Sequence, residues 1–284
     1  MKLIQITDTH FSPTKRHFNG NWAPLLAWLE TEKPDLIIHT GDLTIDGADQ
    51  EEDIAFSLAL MRQASAPMLI LPGNHDVGHL PGSPQPVDRR RLDRWNSLVG
   101  ADRFVHDIDG WRLIGFNSLL LGMGDAAEEE QLDWLATAMA GAGAGAGRQV
   151  RRLALFTHKP LFVDAPDEGD TGYWSIRPAP RARLLALMER HDVGLFASGH
   201  LHWAWQGRHQ RTALTWGPSA AFIIDKIERE MPGERLVGAV VHEFSRAALE
   251  SRIVTVPGMV AHVFDDVIDE IYPRAAAPAL EAAS

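Results

Sequence analysis

Five short motifs rich in Asp, His and Asn each follow a short apolar run in this chain. They read Asp8-Thr9-His10, Gly41-Asp42, Gly73-Asn74-His75-Asp76, Thr157-His158 and Gly199-His200-Leu201-His202. The apolar runs, at 2–6, 36–39, 68–71, 153–156 and 193–196, have the length of buried strands. Between them, 24–32, 48–64, 87–98, 128–140 and 181–190 read as helices. Strand and helix alternate, which predicts a layered α/β domain. In an open α/β sheet, ligands collect outside the carboxyl ends of the strands. All five motifs are expected there, on one rim.

The rest of the chain completes this outline. Residues 104–116 read as a hairpin turning at Asp109-Gly110. Pro- and Gly-rich stretches at 78–87 and 160–180 read as loops, and long loops are often functional. The Ala/Gly alternation at 140–147 reads as a surface connection, not a boundary, because a motif-bearing strand follows it. Runs at 213–216, 220–224, 236–244 and 252–256 read as further strands. A single domain is expected over 1–273, with a frayed tail at 274–284.

With 284 residues, 45% of them hydrophobic, the chain can bury a substantial core. It has no cysteine, so any metal must be held by nitrogen and oxygen ligands. The formal net charge of −11 disfavours a nucleic-acid duplex as partner, whereas a small phosphate ester at a metal centre escapes that repulsion. The first apolar run is too short for a secretion signal, and nothing approaches the length of a membrane span. A soluble cytoplasmic protein is expected.

Asp8 and His10 are two residues apart, as are His200 and His202. On extended backbone each pair would point to one side. Gly41, Gly73 and Gly199 are expected to let the chain turn sharply as it leaves the sheet. The candidate ligands are Asp8, His10, Asp42, Asn74, His158, His200 and His202. They are too many for one tetrahedral ion and suit two ions sharing a carboxylate. The mixed donor set fits Mn, Fe, Zn or Co, and Mg less well. Two such ions, roughly 3.5–4 Å apart, can polarise a phosphoryl oxygen and generate hydroxide at neutral pH.

In order and spacing, these motifs resemble the calcineurin-like metallophosphoesterase superfamily from Asp8 to His202. The resemblance implies a four-layer α/β/β/α sandwich with a dinuclear centre at the carboxyl ends of the strands. It implies Asp8, His10 and His202 on one metal, Asn74, His158 and His200 on the other, and Asp42 as the bridge. His75 would act on the leaving oxygen, and Asp76 would orient His75. Gly41-Asp42-Leu43-Thr44-Ile45-Asp46-Gly47 lacks the arginine of the protein-phosphatase branch. The chain is more similar to the bacterial branch of cyclic-nucleotide and glycerophosphodiester phosphodiesterases. Thr157-His158-Lys159-Pro160 departs from that branch's T-H-H-P. The implied reaction is hydrolysis of a small phosphodiester by in-line attack of a metal-bridging hydroxide. A phosphomonoesterase and an inactive metal-binding scaffold are the alternatives.

Outside the motifs, plainer roles are expected. Lys159 and His79 should be exposed, and Arg89 to Arg91 should form a solvated helix face. His39, Trp203 and Trp205 should pack in the core. Tyr173 and Trp174 should anchor their loop or a contact with a second copy, or else cover the ester's organic group. The stretch after 203 should finish a second sheet and supply a surface for a homo-oligomer.

Overall fold

Strand β1 (Lys2–Ile6) shows how the sequence builds layers. Its successive side chains point to opposite faces. Ile4 and Ile6 enter one apolar cluster, whereas Leu3 enters another. The computed structural model describes residues 1–142, 151–226, 229–246 and 248–271. After β1 come α1 (Trp22–Glu32), β2 (Leu36–Thr40), α2 (Glu51–Met61), β3 (Met68–Leu71), the single-turn α3 (Asn74–Val77) and α4 (Arg89–Leu98). The second half has β4 (Phe104–Ile108), β5 (Trp111–Gly115), α5 (Ala126–Ala140), β6 (Arg152–Phe156), α6 (Pro178–Arg190), β7 (Val193–Ser198), β8 (Trp205–His209) and β9 (Thr212–Trp216). The described chain closes with β10 (Phe222–Ile223), β11 (Ala239–Phe244), β12 (Leu249–Val254), β13 (His262–Val263) and α7 (Phe264–Ile271).

The first sheet has the order β12-β11-β1-β2-β3, and the second β4-β5-β6-β7-β9-β8. Strands β1, β2 and β3 run parallel, as do β5, β6, β7 and β9. Leu25 and Leu29 of α1, Ile54 of α2 and Trp95 of α4 cover the first sheet's outer face at Ile4, Ile6 and Ile37. Leu132 and Leu135 of α5 and Leu184 of α6 cover the second sheet at Leu155, Val193 and Phe196. Between the sheets, Leu3, Leu36, Ile38 and Leu71 meet Trp111, Leu113, Ala154, Phe156 and Leu195. The result is the expected α/β/β/α sandwich. Both faces of each sheet are covered, which is why the motif-bearing strands read as continuous apolar runs.

Some boundaries differ from the expectation. Helix α2 starts at Glu51, because Asp46 first closes a turn by accepting the N–H groups of Asp49 and Gln50. β8 and α7 were not anticipated. β8 alternates half-buried and exposed residues at a sheet edge, and its sequence is polar. The 140–147 connection falls largely, and the 274–284 tail wholly, outside the described residues. Among the described residues, no helix is long and apolar enough to cross a membrane.

A buried polar network ties the sheets together just below the motif ends. The Gln5 amide donates to Thr40 Oγ1 and to the Ser198 carbonyl, both at 3.0 Å. Its oxygen accepts from His242 Nε2 at 3.2 Å, so Nδ1 of that ring accepts from Ser251 Oγ at 2.7 Å. The ring is thus neutral and satisfied. Burial pushes the His242 pKa down to about 3. Between pH 6.5 and 3 the unfolded chain binds this proton and the folded one does not, so stability falls as pH falls through that window. His242→Gln should remove up to about 1.4 kcal/mol per pH unit of that slope between pH 6 and 4. Urea unfolding across pH checks this.

Candidate metal centre and active site

The loops leaving the strands interlock. The Asp8 N–H donates to the Gly41 carbonyl at 2.9 Å, and the His10 N–H to the Asp42 carbonyl at 3.1 Å. The expected extended geometry is not what aims the ligands. Asp8, His10, Asp42, His200 and His202 have φ of 54°, 47°, 52°, 75° and 56°. Such left-handed backbone costs of order 1–3 kcal/mol per non-glycine residue and gathers where surrounding structure enforces it, often at functional sites. The glycines also act differently from the expectation. Gly41 has φ 100°, but Gly73 is needed for close approach. A Cβ on Gly73 would lie 2.1 Å from Asp42 Oδ1, and one on Gly199 would lie 2.0 Å from Thr7 Oγ1.

All seven candidate ligands are buried and converge on two adjoining clusters, and His75 forms a third group with His10 and Asp42 between them. In the first, His10 Nε2 lies 3.3 Å from His202 Nε2, 4.0 Å from Asp8 Oδ1 and 3.8 Å from Asp42 Oδ2. In the second, His158 Nε2 lies 3.3 Å from Asp42 Oδ2, 3.1 Å from Asn74 Oδ1 and 3.0 Å from His200 Nδ1. Ligands held about 2.0–2.2 Å from one ion stand roughly 3–3.5 Å apart, which the second cluster matches, whereas His10 in the first would close on Asp8 and Asp42 by a few tenths of an ångström. Asp42 Oδ2 belongs to both.

Hydrogen bonds orient these donors. Asp8 Oδ2 accepts from Thr7 Oγ1 at 2.6 Å and from the His200 N–H at 3.1 Å, leaving Oδ1 buried without a hydrogen-bond partner. Asp42 Oδ1 accepts from the His75 N–H at 2.8 Å. His158 Nδ1 donates to the Thr40 carbonyl, His202 Nδ1 to that of Phe222 and His200 Nε2 to that of Tyr173. Each bond fixes the tautomer and turns a bare nitrogen inward, as in metal-ligating histidines. Lone pairs converging in this way call for a cation. Without a metal, a proton serves. Burial alone would depress His158, but Asp42 and Asp8 overcome it and lift its pKa to about 9. Burial would raise Asp42, yet His158 and His75 hold it well below the usual carboxylate range.

His75 sits on the same rim, its ring 4.7 Å from that of His10. Its Nδ1 donates to the Ile45 carbonyl at 2.8 Å. Asp76 therefore does not orient the ring in the expected way. Its carboxylate accepts the N–H groups of Leu43, Thr44 and Gly73 and the Thr44 hydroxyl, and so organises the loop that carries Ile45. His39 is buried as expected, but it is also part of this support. Its Nδ1 accepts from the Gly41 N–H and its Nε2 donates to Thr9 Oγ1.

The sequence pattern that defines the calcineurin-like phosphoesterases matches residues 1–204. The chain belongs to that family. The family is named for phosphoesterases, and the groups of this chain that could hold a metal lie within the matched residues. Over 179 residues it is 26% identical to the serine/threonine-protein phosphatase CPPED1 of Pongo abelii, covering 60% of this chain and 54% of that protein. Over 171 residues it is 29% identical to the 3',5'-cyclic adenosine monophosphate phosphodiesterase CpdA of Escherichia coli K12, covering 57% and 56%. The match thus spans about half the length of each relative. A solved dimetal phosphatase from Danio rerio shares the fold, with a TM-score of 0.57 at 13% identity over 90% of this chain and 99% of the other.

Several neighbours of this centre stand where the sequence did not suggest. Lys159 is 2% exposed rather than solvated. His79 is half-buried on the rim, with its ring 6.3 Å from His75 and 5.4 Å from Tyr173. Tyr173 is 39% exposed, with its ring 4.5 Å from that of His200. Its loop is pinned by Glu168, which pairs with the buried Arg181 at 3.0 Å and accepts from the Val163 and Asp164 N–H groups and Ser175 Oγ. Arg91 leaves the solvated helix face, bonding Ala48, Pro86, Asp49 and Asp88. The sequence did not mark Lys159 or Arg91, because Ser118 and Tyr173 beside Lys159, and Ala48 and Asp49 beside Arg91, are distant in sequence. Trp203 and Trp205 pack against neighbouring apolar side chains.

Gly73→Ala should expel Asp42 from its position and leave less than about half of the bound divalent metal, with far-UV circular dichroism unchanged. Metal analysis of the purified variant checks this, and wild-type stoichiometry would contradict it.

Proposed function

We propose that the protein is a dinuclear metal-dependent phosphodiesterase acting on a small diester of the cyclic-nucleotide or glycerophosphodiester type. The observation that carries this reading is Asp42 Oδ2, shared by two converging donor sets. Asp8, His10, Asp42 and His202 would hold one ion, and Asp42, Asn74, His158 and His200 the other. When bound, such ions supply Lewis acidity toward a phosphoryl oxygen and a water nucleophile available at neutral pH.

The chain's own residues do the rest. Hydrogen bonds to Thr40, Tyr173 and Phe222 hold three imidazoles in register, so little reorganisation is needed when an ester binds. His75 donates its Nδ1 proton to the Ile45 carbonyl, which fixes the ring, and Nε2 is the atom that would meet the departing oxygen. In the protonated ring, Nε2 gives its proton to that alkoxide. Asp42 Oδ1 binds the backbone of His75 and so couples the acid's position to the bridging carboxylate.

The likeness to CpdA and the missing protein-phosphatase arginine support a diester. A second reading, a phosphomonoesterase, draws on the likeness to CPPED1 and on the extra cation Lys159 near the centre. Hydrolysis of bis(p-nitrophenyl) phosphate beside p-nitrophenyl phosphate separates them. The diester should be preferred, and a large preference for the monoester would sink the first reading. His75→Ala should keep its metals and lose about 10²- to 10⁴-fold in kcat on an ester with a poor leaving group. An unchanged rate there would remove His75 from its role.

A further inference from the structure

Lys159 is an anomaly in this site. It follows His158 directly and is among the largest fully buried side chains. Its backbone N–H is held by Ser118 Oγ at 2.8 Å, which fixes the root of the side chain. Among the described residues, Nζ has no carboxylate within ion-pair distance and no hydrogen-bond acceptor. Its contact is the Tyr173 ring, 5.6 Å from Nζ to the centroid. The charges it feels most are Arg177, which repels it, then Asp42 and Asp170. Asp170 is paired with Arg177 at 3.6 Å, and Asp42 is engaged by imidazoles. Among the described residues, the buried Arg177 Nε that faces Asp170 across this gap has no partner at hydrogen-bond distance.

A buried ammonium without a counter-ion is destabilising. The neighbouring Arg177 cation makes it more so. Such a group is satisfied when an anion arrives. Lysine is a compact point charge that suits a single phosphate oxygen. The position agrees. The rim runs from His75 through His79 and Tyr173 to Lys159, in steps of 6.3, 5.4 and 5.6 Å. His79 and Tyr173 thus link His75 and Lys159 along one rim.

We propose that Lys159 is a substrate-binding residue whose Nζ takes a non-bridging oxygen of the phosphoryl group, with Arg177 reinforcing the anion site and Tyr173 walling it. The leaving oxygen then lies toward His75. This deepens the phosphodiesterase reading and rests on it for the ester, but its test needs only inorganic phosphate. In the metal-loaded full chain, calorimetry should show Lys159→Met binding phosphate about tenfold or more weakly, with metal content unchanged. Phosphate affinity within twofold of wild type, metals retained, would overturn the proposal. If the variant loses metal or folds poorly, lysine labelling of the wild type decides. Phosphate should slow modification of Lys159 and leave that of Lys33 unchanged. Equal labelling of Lys159 with and without saturating phosphate would refute it. A wild type that binds phosphate in this way but cleaves no diester would sink the earlier reading and leave this one standing.

Discussion

One carboxylate oxygen, Asp42 Oδ2, is the point around which the site is arranged. It lies 3.8 Å from His10 Nε2 on one side and 3.3 Å from His158 Nε2 on the other. Those imidazoles come from different sheets, His10 after β1 and His158 after β6. The centre can form only if the two sheets pack face to face with their parallel strands ending at one rim. The Leu3, Leu36, Ile38 layer against Trp111, Phe156 and Leu195 provides that packing, and the Gln5 network locks it beside the motif ends. A buried carboxylate among imidazoles is tolerable because cations or protons are always within reach.

The cost of this arrangement is visible in the backbone. Five candidate ligand positions adopt left-handed φ without being glycine. Hydrogen bonds between loops enforce them: Asp8 to Gly41, His10 to Asp42, and the Asp76 carboxylate to three N–H groups of two loops. Asp76 thus serves the chemistry at one remove. It shapes the loop whose Ile45 carbonyl sets the ring of His75. Rigid donors that are strained before any ester arrives fit a site whose contribution is electrostatic preorganisation.

Much of this was legible in the sequence, for a physical reason. Strands covered on both faces must be continuously apolar, and a polar motif directly after such a run must lie at its carboxyl end. That places Asp8, Asp42, Asn74, His158 and His200 without any structure. Other features were hidden because they depend on distant partners. Lys159 looks like any loop lysine until β6 and the Tyr173 loop enclose it. Arg181 reads as a helix-surface cation until Glu168 meets it. The left-handed ligand backbone, and the role of Gly73 in making room for Asp42, follow from loop interlocking that spacing alone does not encode. β8 was missed because a polar edge strand carries weak periodicity, whereas α7 is strongly amphipathic but only eight residues long.

The central claim is that Asp42 joins two metal ions. The most direct test is a crystal structure of the manganese-loaded protein with anomalous difference density. The account predicts two peaks flanking Asp42, roughly 3.5–4 Å apart, one among Asp8, His10 and His202 and the other among Asn74, His158 and His200. A single peak, or two that do not share Asp42, would contradict it.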